Sequence, residues 1–305
     1  MGCQYYNTGN SIAVFGLKHG SSGIAQIIAD RDDIPMYKAK EQFKVINRKN
    51  QYSDKGKVEV DFTNKVKEFP NLPIFILIRD PEKAASASWI EDICNYLHFN
   101  SFKCILEIPE AYDFAKKFNL PEYSHTDGTP NIVSLDLKQN HNLLDEKELT
   151  RLMQVTAERV KPYYNGHFGS YHLDSVIYLL QLLTHGDLKV NSQNIFILNL
   201  DDYDKKANNL LVSYSVFHKD SAKTKVESVP KGAAKNVHYL NAHTTTSLSK
   251  KVKPLLTKLK KEDYWFNHRI TSEKLSFKYI KDNYKQLMYT PNRFKNFLQE
   301  HGEEL

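Results

Sequence analysis

The sequence predicts an α/β fold built as three layers around a mainly parallel central sheet, and three observations predict it. Short apolar runs bounded by Gly, Pro or polar residues recur at Ser11-Ile-Ala-Val-Phe-Gly-Leu17, Pro73-Ile-Phe-Ile-Leu-Ile78 and Asn194-Ile-Phe-Ile-Leu-Asn-Leu200. Unbroken runs of that length mark strands buried on both faces. Each lies beside a stretch with helical periodicity, and strands alternating with helices are what a parallel sheet requires. The composition permits a large core: 41% hydrophobic and 12% aromatic over 305 residues belong to a folded chain, not a disordered one.

Taken in order, Ile24-Ala-Gln-Ile-Ile-Ala29 repeats apolar residues at helical spacing directly after the first run, completing a strand–loop–helix unit. The second run leads into a turn at Asp80-Pro81 and a helix expected over 82–97. The third is preceded by a helix expected over 171–183, with Val176, Leu179, Leu180 and Leu183 as its apolar positions. Weaker strand signals lie at 132–135 and 210–216. An amphipathic helix over 144–160 packs through Leu149, Leu152, Met153 and Val155, and helices over 248–259 and 289–301 close the chain. The lysines of the first of these, Lys250 to Lys261, read as a solvated face. No repeat or low-complexity linker interrupts the pattern, so one domain over 1–305 is expected, with 220–235 as a long exposed loop.

Charge and cysteine usage narrow the function classes. A net charge of +6, from 42 basic and 36 acidic residues, attracts an anionic nucleotide or acceptor but is too small to imply nucleic acid. Cys3, Cys94 and Cys104 have no metal-ligand spacing, and their odd number suits a reducing compartment such as the cytoplasm. The N-terminus lacks the basic and apolar regions of a signal peptide. No run approaches the roughly 20 apolar residues of a membrane span. Gly2 and Cys3 resemble an acylation signal, but Tyr6 stands where that signal needs Ser or Thr.

The chemistry concentrates after the first strand, where Lys18-His-Gly-Ser-Ser-Gly23 brings an ammonium, two hydroxyls and backbone N–H groups to the start of a helix. Such a loop binds an anion. It also fits a tight turn in which Gly20 supplies backbone freedom and Ser21 or Ser22 caps the helix. A Walker loop is excluded, because that motif carries its lysine after the second glycine and here Lys18 precedes Gly20.

The loop Lys18-His-Gly-Ser-Ser22, followed by the strand ending Ile76-Leu-Ile-Arg-Asp-Pro81, resembles the sulfotransferase family that uses 3′-phosphoadenosine 5′-phosphosulfate, a branch of the P-loop-like α/β folds. The resemblance implies that Lys18 reaches the bridging oxygen of the phosphosulfate. It implies that His19, Gly20, Ser21, Ser22 and Gly23 line the 5′ site and that Arg79 binds the 3′-phosphate. The family has a serine eight residues after that arginine; here Ala87 stands there, between Ser86 and Ser88, and Ser88 is the candidate replacement.

Lys38-Ala-Lys-Glu-Gln-Phe43 is similar to the K-E-x-x-F stretch of the glycan-modifying, heparan-sulfate-type members, which makes Glu41 the general base. Pro230-Lys-Gly-Ala-Ala-Lys235 is similar to the family's nucleotide-covering R-K-G loop, with Lys231 and Gly232 matching and Pro230 replacing the arginine. Gly166 to Tyr171 and Lys261 to Tyr264 fall where the family has a G-x-Y and an acidic D-Y stretch. The implied reaction is sulfuryl transfer to a hydroxyl or amine, with a carbohydrate among the candidate acceptors, no metal required and no membrane span.

The other polar candidates carry structural readings. His19 is expected to point away from the ligand; His167 and His172 flank a glycine-rich turn and are assigned structural roles ahead of an acceptor cleft. Trp89 and Phe99 are read as core or adenine-side residues. The acceptor is set by loops such as 44–56 and 120–130, which carry no motif. Two rivals stay open: another phosphotransferase, for which Asp201 and Asp202 are the tempting metal acids, and a nucleotide-binding protein of the same fold that has lost activity, suggested by Ala87 and Pro230.

Overall fold

The computed structural model describes residues 3–7, 9, 11–16, 19–46, 60–86, 122–123, 132–133, 145, 147, 151, 172–186, 188–201, 257–259, 261–262 and 264–301. By internal contacts the chain forms two compact units: Met1–Ala84 with Ser170–Ala233 and Ile270–Leu305, and Ala85–Gly169 with Ala234–Arg269.

The first unit is a mixed α/β structure around a five-stranded sheet. The three expected strands form it: β2 (Ile12–Phe15), β4 (Ile74–Ile78) and β7 (Ile195–Asn199) lie side by side and parallel, with Ile12 opposite Ile74 and Ile74 opposite Ile195. Two further strands extend it. β1 (Gln4–Asn7) runs antiparallel beside β2, and β3 (Lys44–Val45) antiparallel beside β1, giving the order β3-β1-β2-β4-β7. The sheet is therefore mixed, with β1 alone reversed.

β1 lacks the aliphatic run that reveals the other strands. Its signal is the turn that follows: Gly9, at φ +93°, donates its N–H to Asn7 Oδ1 at 2.9 Å, an Asx turn that folds β1 back on β2. Lys44–Val45, inside a stretch expected to be loop, is an edge strand because β1 offers it a free edge.

Alternation along the strands sorts side chains to two faces, both covered by helices. Ile12, Val14, Ile74, Ile76, Ile78, Ile195 and Ile197 share a core with Leu173, Val176, Leu180 and Leu183 of α4 (His172–His185), Phe62 and Val66 of α3 (Val60–Glu68), and Ile280 of α5 (Tyr264–Asn283). Ala13, Phe15, Phe75, Leu77, Phe196 and Leu198 face the other way. They pack on Ile24, Ala25 and Ile28 of α1 (Ser21–Asp32), Ala39 of α2 (Met36–Glu41), and Phe294 and Phe297 of α6 (Pro291–His301). Each fully buried side chain of this kind contributes about 1.5–3 kcal/mol, so the paired faces dominate the unit's stability.

α4 and α6 match the helices expected over 171–183 and 289–301. α5, the longest described helix, was not legible, because its buried stripe is interrupted by charge: Arg269 and Glu273 take buried positions between Phe266 and Ile280. In the second unit, β5 (Glu122–Tyr123) pairs antiparallel with β6 (Ile132–Val133), the latter within the strand expected at 132–135. Residues 82–86, 147, 151 and 257–259 are helical, as expected, and the first of these helices already includes Pro81, which was expected in the turn. The strand at 210–216, the loop at 220–235 and the remainder of those helices lie outside the described residues. Among the described residues no helix is long and apolar enough to cross a membrane.

Candidate anion-binding site

The chain leaves β2 through the buried Gly16, tightens into a turn closed by His19 N–H to Gly16 O at 3.0 Å, and enters α1 at Ser21. The residue capping α1 is Gly20, at φ 96° and ψ −6°, which has no side chain with which to cap the helix. The tight turn with Gly20 supplying the backbone freedom is formed, and the cap position is taken by Gly20 and not by Ser21 or Ser22. The first turn of α1 also holds no acidic residue, so the partial positive charge of the helix start has no carboxylate of its own to answer it.

Gly20 is required twice over. Its backbone is left-handed, and a Cβ built on it would stand 2.7 Å from Leu77 Cδ2 and 3.2 Å from Leu200 Cδ1. The loop therefore lies directly on the ends of β4 and β7. Two residues beyond Leu77 is Arg79, and one beyond Leu200 is Asp201. The fold thereby brings the Gly/Ser loop and the Arg-Asp-Pro motif together at the C-terminal edge of parallel strands, where open α/β sheets bind their ligands.

Asp201 organises the charges at this edge. Its Oδ2 accepts the Asp80 N–H at 2.7 Å, its Oδ1 lies 2.8 Å from Lys83 Nζ, and the Nε of Arg79 is 3.9 Å from the same oxygen. Asp80 Oδ1 accepts the Lys83 N–H at 3.0 Å, capping the helical segment that follows. Hydrogen bonding to Asp201 holds the Lys83 ammonium above its usual pKa, reinforced by the charges of Asp201 and Asp80.

Beneath the loop lies a buried polar group. The His172 imidazole presses against Gly16 so closely that a Cβ there would fall 2.1 Å from Nδ1. His172 Nε2 lies 3.0 Å from Leu77 O and Nδ1 lies 3.6 Å from Cys3 Sγ. With Nε2 donating to the carbonyl, Nδ1 accepts from the thiol, and both side chains are neutral. Burial holds His172 down at about 4 and pushes Cys3 up to about 12. A neutral pair of this kind holds structure and is not an activated thiolate. His19 turns into the protein as well: it is fully buried, its ring centred 4.2 Å from that of His172.

The remaining candidates are placed less fully. Ser21 is buried and opens α1, with Ser22 and Gly23 in the same turn. Glu41 ends α2 and is exposed, next to Lys40, whose pKa burial lowers. Lys18, Ser88, Lys231 and Gly232 lie outside the described residues, as do Ala87, Trp89, Phe99, His167, Asp202 and Pro230.

Sequence reasoning missed Lys83 and the role of Asp201, which meet across 118 positions of chain. It also missed the Cys3–His172 contact, which spans 169. No local motif marks either pair. The chain matches no protein-family model, no curated protein and no solved structure.

Proposed function

We propose that the chain is a sulfotransferase that moves a sulfuryl group from 3′-phosphoadenosine 5′-phosphosulfate to a hydroxyl or amine acceptor. The observation that carries this reading is the seating of the Gly/Ser loop and the start of α1 on the ends of β4 and β7, where Gly20 packs against Leu77, two positions before Arg79. A helix start with no acidic residue in its first turn suits an anionic group. A guanidinium one loop away suits a second, phosphomonoester charge.

In this reading Ser21, Ser22 and the backbone from His19 to Gly23 bind the 5′ phosphosulfate, and Lys18 neutralises charge growing on the phosphate oxygen that leaves. Arg79 and Ser88 take the 3′-phosphate, while Lys231 and Gly232 cover the nucleotide. Glu41 removes the acceptor proton; its exposure leaves it open to an acceptor arriving from solvent. The nucleotide supplies an activated sulfuryl group, whose transfer forms an acceptor O–S or N–S bond, breaks the bridging S–O bond and releases the 3′,5′-bisphosphate. A metal-dependent phosphotransferase is less well supported, since the Asp201 carboxylate it would need is engaged by the Asp80 N–H and Lys83.

Calorimetric titration with 3′-phosphoadenosine 5′-phosphate and with adenosine diphosphate, in wild type, Lys18→Ala and Arg79→Ala, tests the reading. The bisphosphate is expected to bind at least about tenfold more tightly, and Arg79→Ala to lose most of that preference. Equal binding in wild type, or an undiminished preference in Arg79→Ala, overturns it. Binding without sulfate transfer to any hydroxyl or amine would identify an inactive member of the same fold.

A further inference from the structure

Lys83 is a charged group at the ends of β4 and β7 to which the proposed function gives no role. Its ammonium and the Nε of Arg79 converge on one oxygen, Asp201 Oδ1, at 2.8 and 3.9 Å. That carboxylate is a fixed point: its other oxygen is held by the Asp80 N–H at 2.7 Å, and its side chain is only 16% exposed. Lysines on a surface ordinarily sample many rotamers, and holding one in place costs entropy. Here that ordering is already supplied by Asp201.

Both cations keep donors to spare. Arg79 meets Asp201 through Nε, which leaves the paired Nη groups of the guanidinium fork for a bidentate partner. The Lys83 ammonium has three N–H groups, one of which serves Asp201, and its side chain is 57% exposed. Neighbouring carboxylates are engaged nearby: Asp80 Oδ1 accepts the Lys83 N–H, and Glu82 lies 3.7 Å from Lys274 Nζ. The attraction for an anion at this edge is thus a matter of directed donors and not of net charge.

We propose that Lys83 is, with Arg79, the second cation of the subsite that takes a phosphomonoester on the ribose of a nucleotide, and that Asp201 is the residue that positions Lys83 beside Arg79. The inference rests on the reading of Arg79 given above. It makes Lys83 a specificity-determining residue: its donors act on the second phosphate only, so its loss weakens ligands that carry that phosphate and spares those that lack it.

The experiment compares adenosine 3′,5′-bisphosphate with adenosine 5′-phosphate, which differ in the 3′-phosphate alone, by calorimetry on the full chain. Wild type, Arg79→Ala, Lys83→Met and Lys83→Arg are titrated. Lys83→Met keeps the aliphatic stem and sits on an exposed position, so folding is not at risk. The expected result is a loss of about tenfold in the preference for the bisphosphate in Lys83→Met, unchanged affinity for the monophosphate, and recovery of most of the preference in Lys83→Arg. A preference lost in Arg79→Ala yet intact in Lys83→Met overturns this inference and leaves the reading of Arg79 standing. No preference in wild type overturns both.

Discussion

Two glycines bear the geometry of the loop, and for different reasons. Gly20 has a left-handed backbone and a close neighbour in Leu77, so Gly20→Ala combines backbone strain with a steric one and should cost about 1–3 kcal/mol. Gly16 is constrained by contact with the His172 ring. Gly16→Ala is therefore expected to cost about 3 kcal/mol in wild type, and much less in a His172→Ala background where the ring is gone. Urea denaturation of the single and double variants reads this coupling. Additive costs would show that the ring is not what excludes a side chain at position 16.

At the scale of elements, α6 lies on the sheet through Phe294 and Phe297, and Arg293 adds the polar contacts that fix it there. Arg293 donates through Nη1 to Leu287 O at 3.1 Å and through Nη2 to Ser192 O and Gln193 O at 2.6 and 3.2 Å. Its guanidinium carbon lies 4.3 Å from the ring centre of Phe196 in β7. The carbonyls belong to the two short 3-10 turns, Lys285–Leu287 and Ser192–Asn194, or to the residues that open them, so one planar fork joins the approach to β7 with the approach to α6. Alongside, Tyr289 donates its N–H to Ile197 O at 2.8 Å, which covers part of the β7 edge. Arg293→Met should lower stability by roughly 2–3 kcal/mol. Arg293→Lys should recover little of it, since an ammonium cannot span three carbonyls and a ring face. Equal stability of Arg293→Lys and wild type in thermal or urea unfolding would refute this.

For the whole molecule, the buried Cys3–His172 pair ties stability to pH at both ends of the range. Unfolded, the imidazole titrates near 6.5; folded, burial holds it near 4. Between those values the unfolded chain binds a proton that the folded chain refuses. The contribution is full above about 6.5 and is lost as pH falls toward 4, by roughly 3 kcal/mol. The Cys3 thiol, raised from 9.0 to about 12, acts in the opposite sense: its contribution is full below about 9 and is lost as pH climbs toward 12. Urea midpoints measured from pH 7.5 down to 4.5 should fall steeply in wild type and less in His172→Gln. Parallel acid limbs in the two proteins would exclude His172 as the cause.

By itself the sequence determined the three parallel strands β2, β4 and β7 and the helices α1, α4 and α6 that pack on them. Each of these is written in local terms: an unbroken aliphatic run for a strand buried on both faces, apolar spacing for α4 and α6, and glycines where a loop turns. β1, β3, α2, α3 and α5 were not read from the sequence, and for three of them the reason is equally physical. β1 has two tyrosines in place of an aliphatic run, β3 exists only because β1 presents an edge, and α5 buries Arg269 and Glu273 within its apolar stripe.

Only the tertiary structure decided what meets at the ends of the strands. The parallel register of β2, β4 and β7 lays Leu77 and Leu200 under Gly20, and it carries Asp201 across to Arg79, Asp80 and Lys83. Contacts between residues more than a hundred positions apart are set by register and packing, and no local pattern encodes them.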